Sequence, residues 1–146
     1  MTAVPVEEIA GRRAEILASV ARAAAKVGRR PEEIAVMAVT KGHGPATVAN
    51  AARAGFTLFG ENRVQEGCAK IAALGGEFPG LTWRLIGPLQ SNKAKSALQW
   101  FAAVESLDRE RLAVRLEALL AGAGEGRVLP VLLEINVGHE PSKSGV

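Results

Sequence analysis

The chain has 146 residues, of which 48% are hydrophobic and 23% are charged, with a formal net charge of +3 and a single cysteine. This composition excludes a disordered chain, a collagen-like repeat and a disulfide-stabilised scaffold, and the length predicts one domain. No apolar run reaches the roughly 18 residues that a membrane span needs, and the N-terminus lacks a secretion signal, so we expect a cytoplasmic protein.

Hydrophobic periodicity predicts a leading helix followed by five strands that alternate with four further helices. The predicted helices cover 6–27, 45–53, 64–74, 91–100 and a segment that Ser106 or Asp108 caps and that ends near 121. The predicted strands cover 34–40, 56–59, 82–86, 102–105 and 128–137, the last having the clearest pattern. Such alternation is typical of an α/β fold with a parallel sheet.

The segments that leave the predicted strands are much richer in polar side chains than the segments that enter them. The exits are 41–43, 60–63, 87–93, 105–106 and the segment from 136 to 145, and they carry amide, hydroxyl and ammonium groups. The entries are short and rich in glycine. Because parallel α/β proteins bind ligands at the carboxyl ends of their strands, we predict a site at this end of the sheet.

Two polar residues at these exits are the candidate ligand-binding residues. Lys41 directly follows an apolar strand, where a partly desolvated amine can attack a carbonyl group. It could also bind an anion, and the spacing alone favours a solvated strand end with no special role. Asn62 could donate a hydrogen bond to a ligand, but capping the helix that follows is the favoured interpretation. Ser91 is interpreted as a helix cap in the same way.

Other residues with potential chemistry point to structural roles. Cys68 lies among apolar helix positions and is interpreted as a buried, unreactive thiol. His43 and His139 have no cysteine or carboxylate at ligand spacing, so we expect no zinc site. The glycine-rich segment 122–126 precedes a strand, whereas a dinucleotide-binding loop follows one.

Several of these segments, taken together, resemble a known family. They are 38–41, 59–66, 83–93, 105–108, 129–136 and 142–145. In sequence and order they resemble the pyridoxal 5′-phosphate (PLP) homeostasis proteins, which are relatives of the N-terminal barrel of alanine racemase. The most specific stretches are Gly60-Glu-Asn-Arg-Val-Gln-Glu66 and Ile86-Gly-Pro-Leu-Gln-Ser-Asn-Lys93. The resemblance extends from the first helix to Val146.

The resemblance implies a (β/α)8 TIM-barrel-type fold with an extra N-terminal helix. About five of the eight β/α units of such a barrel are represented here. We therefore expect residues 1–146 to be a single PLP-binding barrel domain that is truncated on its C-terminal side. The family's phosphate-anchoring segments belong to the later units.

The resemblance also implies roles for individual residues. Lys41 is expected to hold PLP as a Schiff base, and Asn62 is expected to lie beside the cofactor ring, with the 87–93 loop at the same mouth. Two positions depart from the family pattern: Gly42-His43-Gly44 follows the lysine, and Arg84 replaces a common histidine. The departure after the lysine concerns the contacts around it rather than the lysine itself.

The implied function is intracellular PLP homeostasis without catalytic turnover. The alternative is a PLP-dependent amino-acid racemase, which needs a second acid–base group on the opposite cofactor face, and the chain contains no tyrosine for that role. PLP is the expected ligand, and PLP-dependent apoenzymes are candidate recipients. We expect a monomer or a weak homodimer. Scattered basic residues and few aromatic side chains argue against a nucleic-acid partner.

Overall fold

The computed structural model describes residues 3–124 and 126–146, which form a parallel sheet flanked by helices. The helices are α1 (Val6–Ala25), α2 (Pro45–Arg53), α3 (Val64–Leu74), α4 (Ala94–Trp100) and α5 (Glu110–Ala121). The strands are β1 (Ala38–Val39), β2 (Leu58–Glu61), β3 (Thr82–Leu85), β4 (Ala103–Leu107) and β5 (Val131–Leu133). Short 3₁₀ turns cover Pro31–Glu33 and Ser91–Lys93. None of the described helices is both long enough and apolar enough to cross a membrane.

The five strands lie in the order β1-β2-β3-β4-β5, and every neighbouring pair is parallel. Each crossover therefore advances to the next strand in the same direction, and α2 to α5 follow one another as contacting neighbours. A doubly wound sheet would instead reverse its strand order. Sequential winding is that of a (β/α)8 barrel. The predicted TIM-barrel-type fold is confirmed for five strands, and α1, which packs on α2, is the extra helix.

The core lies between the sheet and the helices. Phe59 and Trp83 occupy paired positions on β2 and β3, and their rings stack with centroids 5.0 Å apart and planes inclined by 28°. Val48 from α2 and Leu112 from α5 are fully buried in the same cluster. This packing fixes the central strands, and with them the positions of their carboxyl ends.

The two outer strands are shorter than the sequence predicted. β1 has two residues instead of the predicted 34–40, and β5 has three instead of 128–137. Each has a neighbouring strand on one side only among the described residues, and the side chains of β5 are 41–63% exposed. A hydrophobic segment forms a strand only where a neighbouring strand supplies backbone hydrogen bonds. The predicted lengths of β1 and β5 were therefore wrong.

Two of the inner strands, β2 and β4, begin and end later in the chain than the sequence predicted. β2 covers 58–61 rather than 56–59, and β4 covers 103–107 rather than 102–105. The predicted cap Ser106 therefore lies within β4, where its hydroxyl donates to a backbone carbonyl of the neighbouring strand exit. The N-cap residue of α5 is Arg109, without a side-chain cap, so the prediction for Asp108 was also wrong.

The predicted helix over 91–100 is divided in two. Ser91 begins a 3₁₀ turn, for which Gln90 is the N-cap residue without a side-chain hydrogen bond, and α4 starts at Ala94. The predicted cap at Ser91 was therefore wrong. By contrast, the predicted bounds of α2 and α3 are confirmed. Pro45 at the first turn of α2 marks its start in the sequence.

Candidate functional site

The carboxyl ends of the strands are joined to one another by polar contacts; we call these ends and the segments that leave them the rim. The Thr40 hydroxyl donates to Oε1 of Glu61 over 2.5 Å, which links β1 to β2. The Ser106 hydroxyl donates to the carbonyl of Gly87 over 2.6 Å, which links β4 to the exit of β3. Side-chain hydrogen bonds therefore join neighbouring strand exits in two pairs, at the end of the sheet where the sequence places its polar segments.

Lys41 lies on the rim, two residues beyond the end of β1. Its neighbour Thr40 continues the sheet, because the Thr40 N–H donates to the Gly60 carbonyl over 3.0 Å. We expected a partly desolvated amine, but the Lys41 side chain is exposed. The physical reason is that β1 is flanked by β2 alone among the described residues, so its exit is open on the other side.

A buried ammonium lies directly beside this exit. Lys70, on α3, has a side chain that is only 4% exposed. Its Nζ donates to the Thr40 carbonyl over 2.8 Å, to Glu61 Oε1 over 2.7 Å and to Glu66 Oε1 over 2.8 Å. A protonated lysine has three N–H donors, so each has an acceptor. We call Glu61, Glu66 and Lys70 the Lys70 cluster.

Glu66 connects the Lys70 cluster to the residue that follows Lys41. Its Oε1 accepts the Gly42 N–H over 3.1 Å in addition to the Lys70 ammonium. The hydrogen bond from Lys70 is the largest influence on the carboxyl group and lowers its pKa; partial burial opposes this, and the Gly42 N–H adds to it. Glu66 is therefore ionised at neutral pH and remains a strong acceptor.

Glu61 is the most deeply buried acid of the cluster. Its side chain has no exposed surface, and Oε1 accepts from both Thr40 and Lys70. The second oxygen, Oε2, has no hydrogen-bond partner among the described residues. A buried carboxylate needs such partners to offset the loss of hydration, so the pairing with Lys70 is central to this site.

Asn62 lies at the next strand exit and is half-buried. The N-cap residue of α3 is Arg63, and it makes no side-chain cap, so the capping interpretation of Asn62 was wrong. The Gly87 backbone lies close to the Asn62 backbone: a Cβ atom at Gly87 would lie 2.3 Å from the Asn62 carbonyl oxygen. The absence of a side chain at Gly87 thus allows the exits of β2 and β3 to meet.

Asn62 also lines an open pocket of about 380 Å³ between two strand exits. Arg63, Gln90 and Lys93 contribute polar side chains to the same pocket, whereas Lys41 is not one of its lining residues. The structure therefore brings Lys41 and Asn62 to neighbouring strand ends of one rim, but it does not place them in this one pocket.

Cys68 and Arg84, which the sequence also singled out, have contacts that point to structural roles. Cys68 is half-buried rather than fully buried, and burial raises the pKa of its thiol, which agrees with low reactivity. Arg84, which departs from the family pattern, donates to Glu105 over 2.8 Å between β3 and β4. Across residues 3–124 and 126–146, no group of three histidine, cysteine or acidic side chains is arranged to hold a metal.

The sequence contains one indication of the Lys70 cluster, the spacing of Glu66 and Lys70. Glu66 and Lys70 are four residues apart on α3, a spacing that favours an ion pair. Such pairs usually lie on the exposed face of a helix, so the spacing alone gives no indication of burial. Glu61 was missed because β2 was predicted to end at 59, which placed Glu61 in a loop.

Comparisons with known proteins identify similar sequences and similar folds. The family model described as the alanine racemase N-terminal domain matches residues 13–146. The chain is also similar to a pyridoxal phosphate homeostasis protein of Escherichia coli K12, with 41% identity over 144 residues that cover 97% of this chain and 60% of the relative. The chain thus spans about three fifths of that relative's length.

Two solved structures resemble the fold over most of the chain. PipY of Synechococcus elongatus PCC7942 with PLP bound is 37% identical with a TM-score of 0.71, covering 87% of this chain and 57% of PipY. An unknown protein from Bifidobacterium adolescentis is 30% identical with a TM-score of 0.85, covering 99% of this chain and 62% of that protein.

Proposed function

The chain belongs to the alanine racemase N-terminal domain family, and from this membership and the rim geometry we propose that it binds PLP through Lys41 and acts in PLP homeostasis. The observation that carries the proposal is the position of Lys41 at the exit of β1, with Asn62 at the exit of the neighbouring strand β2. A relative with 41% identity is named as a PLP homeostasis protein, and PipY has been solved with PLP bound.

The residues at the rim suit the aldehyde and ring of such a ligand. PLP supplies an aldehyde, with which a lysine amine forms a Schiff base as water is released. The Lys41 amine is exposed to an incoming ligand and has no acidic partner among the described residues. The half-buried Asn62 amide is available to contact the ring, because it does not cap α3.

Within the same proposal, residues 1–146 act as one PLP-binding domain whose role is to hold and deliver the ligand rather than to catalyse. A racemase needs a second acid–base group on the opposite face of the cofactor. A tyrosine would be one such group, and the chain contains none. PLP-dependent apoenzymes are the proposed recipients. Because Lys41 is exposed, an amine of another protein can reach the bound aldehyde and take it over.

An absorbance titration tests the proposal. Adding PLP to the protein should produce a saturable Schiff-base band, and K41R should lack it because a guanidinium does not form an imine under these conditions. K26R is the matched control, since Lys26 is an exposed lysine at the end of α1, and it should behave as the unsubstituted protein. Equal bands in K41R and the unsubstituted protein would refute the assignment to Lys41.

A further inference from the structure

We infer that Lys70 and Glu66 are positioning residues for Lys41: together they hold the two peptide groups on either side of its Cα atom. The preceding peptide is held through its carbonyl, at Thr40, which accepts from Lys70 over 2.8 Å. The following peptide is held through its N–H, at Gly42, which donates to Glu66 over 3.1 Å. The identity of the ligand rests on the proposed function, but this backbone arrangement does not.

Holding both peptide groups determines the direction in which the Lys41 side chain leaves the backbone. The orientations of these two planes define φ and ψ of the residue between them. The hydrogen bonds to Thr40 and from Gly42 are linked to each other, because Lys70 also donates to Glu66 over 2.8 Å. The Lys41 Cα–Cβ bond is therefore oriented by α3, although β1 pairs with β2 through only two residues.

The Lys70 cluster adds a constraint to the backbone that follows Lys41. Gly42 has a φ of +76°, so the chain turns sharply immediately after the lysine. The turn is closed by one hydrogen bond of its own, from the His43 N–H to the Thr40 carbonyl over 3.1 Å, and the same carbonyl also accepts from Lys70. The hydrogen bond from the Gly42 N–H to Glu66 ties that turn to α3, whose Lys70 side chain is anchored in the core.

The contacts of the Lys70 ammonium reach the backbone on both sides of Lys41. A buried ammonium needs an acceptor for each of its three N–H groups, and the acceptor that neutralises its charge inside the core is Glu61 Oε1. The remaining two contacts of the Lys70 ammonium, to the Thr40 carbonyl and to Glu66, both lead to peptides that flank Lys41. The cluster is thus directed at the lysine.

Substitution of Glu66 is the cleanest test, because this side chain is 32% exposed and its loss does not leave a buried cavity. In E66A, the Gly42 amide loses its acceptor, and its hydrogen exchange should accelerate about tenfold or more, as loss of a hydrogen bond to a charged group implies. PLP binding at Lys41 should weaken by a similar factor. E66Q keeps an oxygen that accepts from both donors and should largely restore both properties.

The control is E77A, which removes an exposed carboxylate that pairs with Arg53 away from the rim. It should leave both Gly42 exchange and PLP binding unchanged. Faster Gly42 exchange in E66A with unchanged PLP binding would overturn the inference while leaving the proposed function intact. If the unsubstituted protein forms no adduct at Lys41, the proposed function fails; the Gly42 exchange rates in E66A and E66Q would then still decide whether the backbone is held as inferred.

Discussion

Lys70 and Glu61 place opposite charges within the packed interface between α3 and the sheet. The two side chains are 4% and 0% exposed, and their nitrogen and oxygen atoms are 2.7 Å apart. Removing one partner of a buried pair leaves the other charge without compensation, which is generally strongly destabilising. Glu66 lies at the edge of the same cluster. It can be substituted without leaving an unpaired buried charge, because Lys70 and Glu61 remain paired with each other.

The pH dependence of the rim follows from Glu66. Lys70, Arg63 and the Gly42 N–H lower its pKa below the usual 4.5 against the effect of burial, and the charged groups near it are Lys70, Arg63 and the buried Glu61. Since the folded pKa is depressed, Glu66 contributes stability that is complete above its unfolded-state pKa and is lost as the pH falls through the folded value.

We therefore expect the amide resonance of Gly42 to report this titration in a pH series followed by NMR. The resonance should shift with a midpoint below 4.5, because the Gly42 N–H loses an ionised acceptor there. E66Q, which cannot titrate at this position, should not show the shift. A midpoint at or above 4.5 in the unsubstituted protein would contradict the geometry of the cluster.

Individual residues were predictable to different degrees. Lys41 and Asn62 were predicted as ligand-binding residues because parallel α/β proteins bind ligands at strand exits, and because the surrounding motifs resemble a family. Lys70 could not be found in this way. An isolated lysine on an amphipathic helix resembles a solvated side chain, and only the packing of α3 over the ends of β1 and β2 buries it.

Among the elements, the exits of β2 and β3 approach each other closely at the rim. Replacing Gly87 with alanine would put its Cβ 2.3 Å from the Asn62 carbonyl oxygen and 2.7 Å from the Asn62 Cα. These are backbone atoms that cannot rotate away, so G87A should displace Asn62. We expect it to reduce the free energy of unfolding by about 1–3 kcal/mol and to weaken PLP binding.

Denaturant unfolding and a PLP titration of the folded variant measure these two effects. The control is G80A, because a Cβ at Gly80, in the segment that enters β3, would meet no atom within 4 Å. It should change neither property. A G87A variant as stable as G80A, with unchanged PLP affinity, would show that the approach of the two exits has no role in the site.

Element bounds were predictable where local chemistry sets them. The proline in the first turn of α2 and the glycines after α3 mark ends that the structure confirms. Strand bounds depend on a distant partner instead. β2 extends to Glu61 because it pairs with β3 up to Leu85, and nothing in the residues 58–61 themselves specifies that register.

At the scale of the whole molecule, the sequential strand order explains why one rim gathers the polar exits. All five strands run in parallel, so their carboxyl ends lie on the same side of the sheet. The alternation of helices and strands predicted this architecture. It could not predict the short outer strands, because the described residues provide β1 and β5 with a neighbour on one side only, whereas a closed barrel pairs every strand on both.

The most direct test of PLP binding through Lys41 is reduction of the PLP-treated protein with borohydride, followed by peptide mass mapping. The account predicts a pyridoxyl group on the peptide that contains Lys41, its loss in K41R and its retention in K26R. A pyridoxyl group found instead on other lysines, or found nowhere on folded protein saturated with PLP, would contradict it.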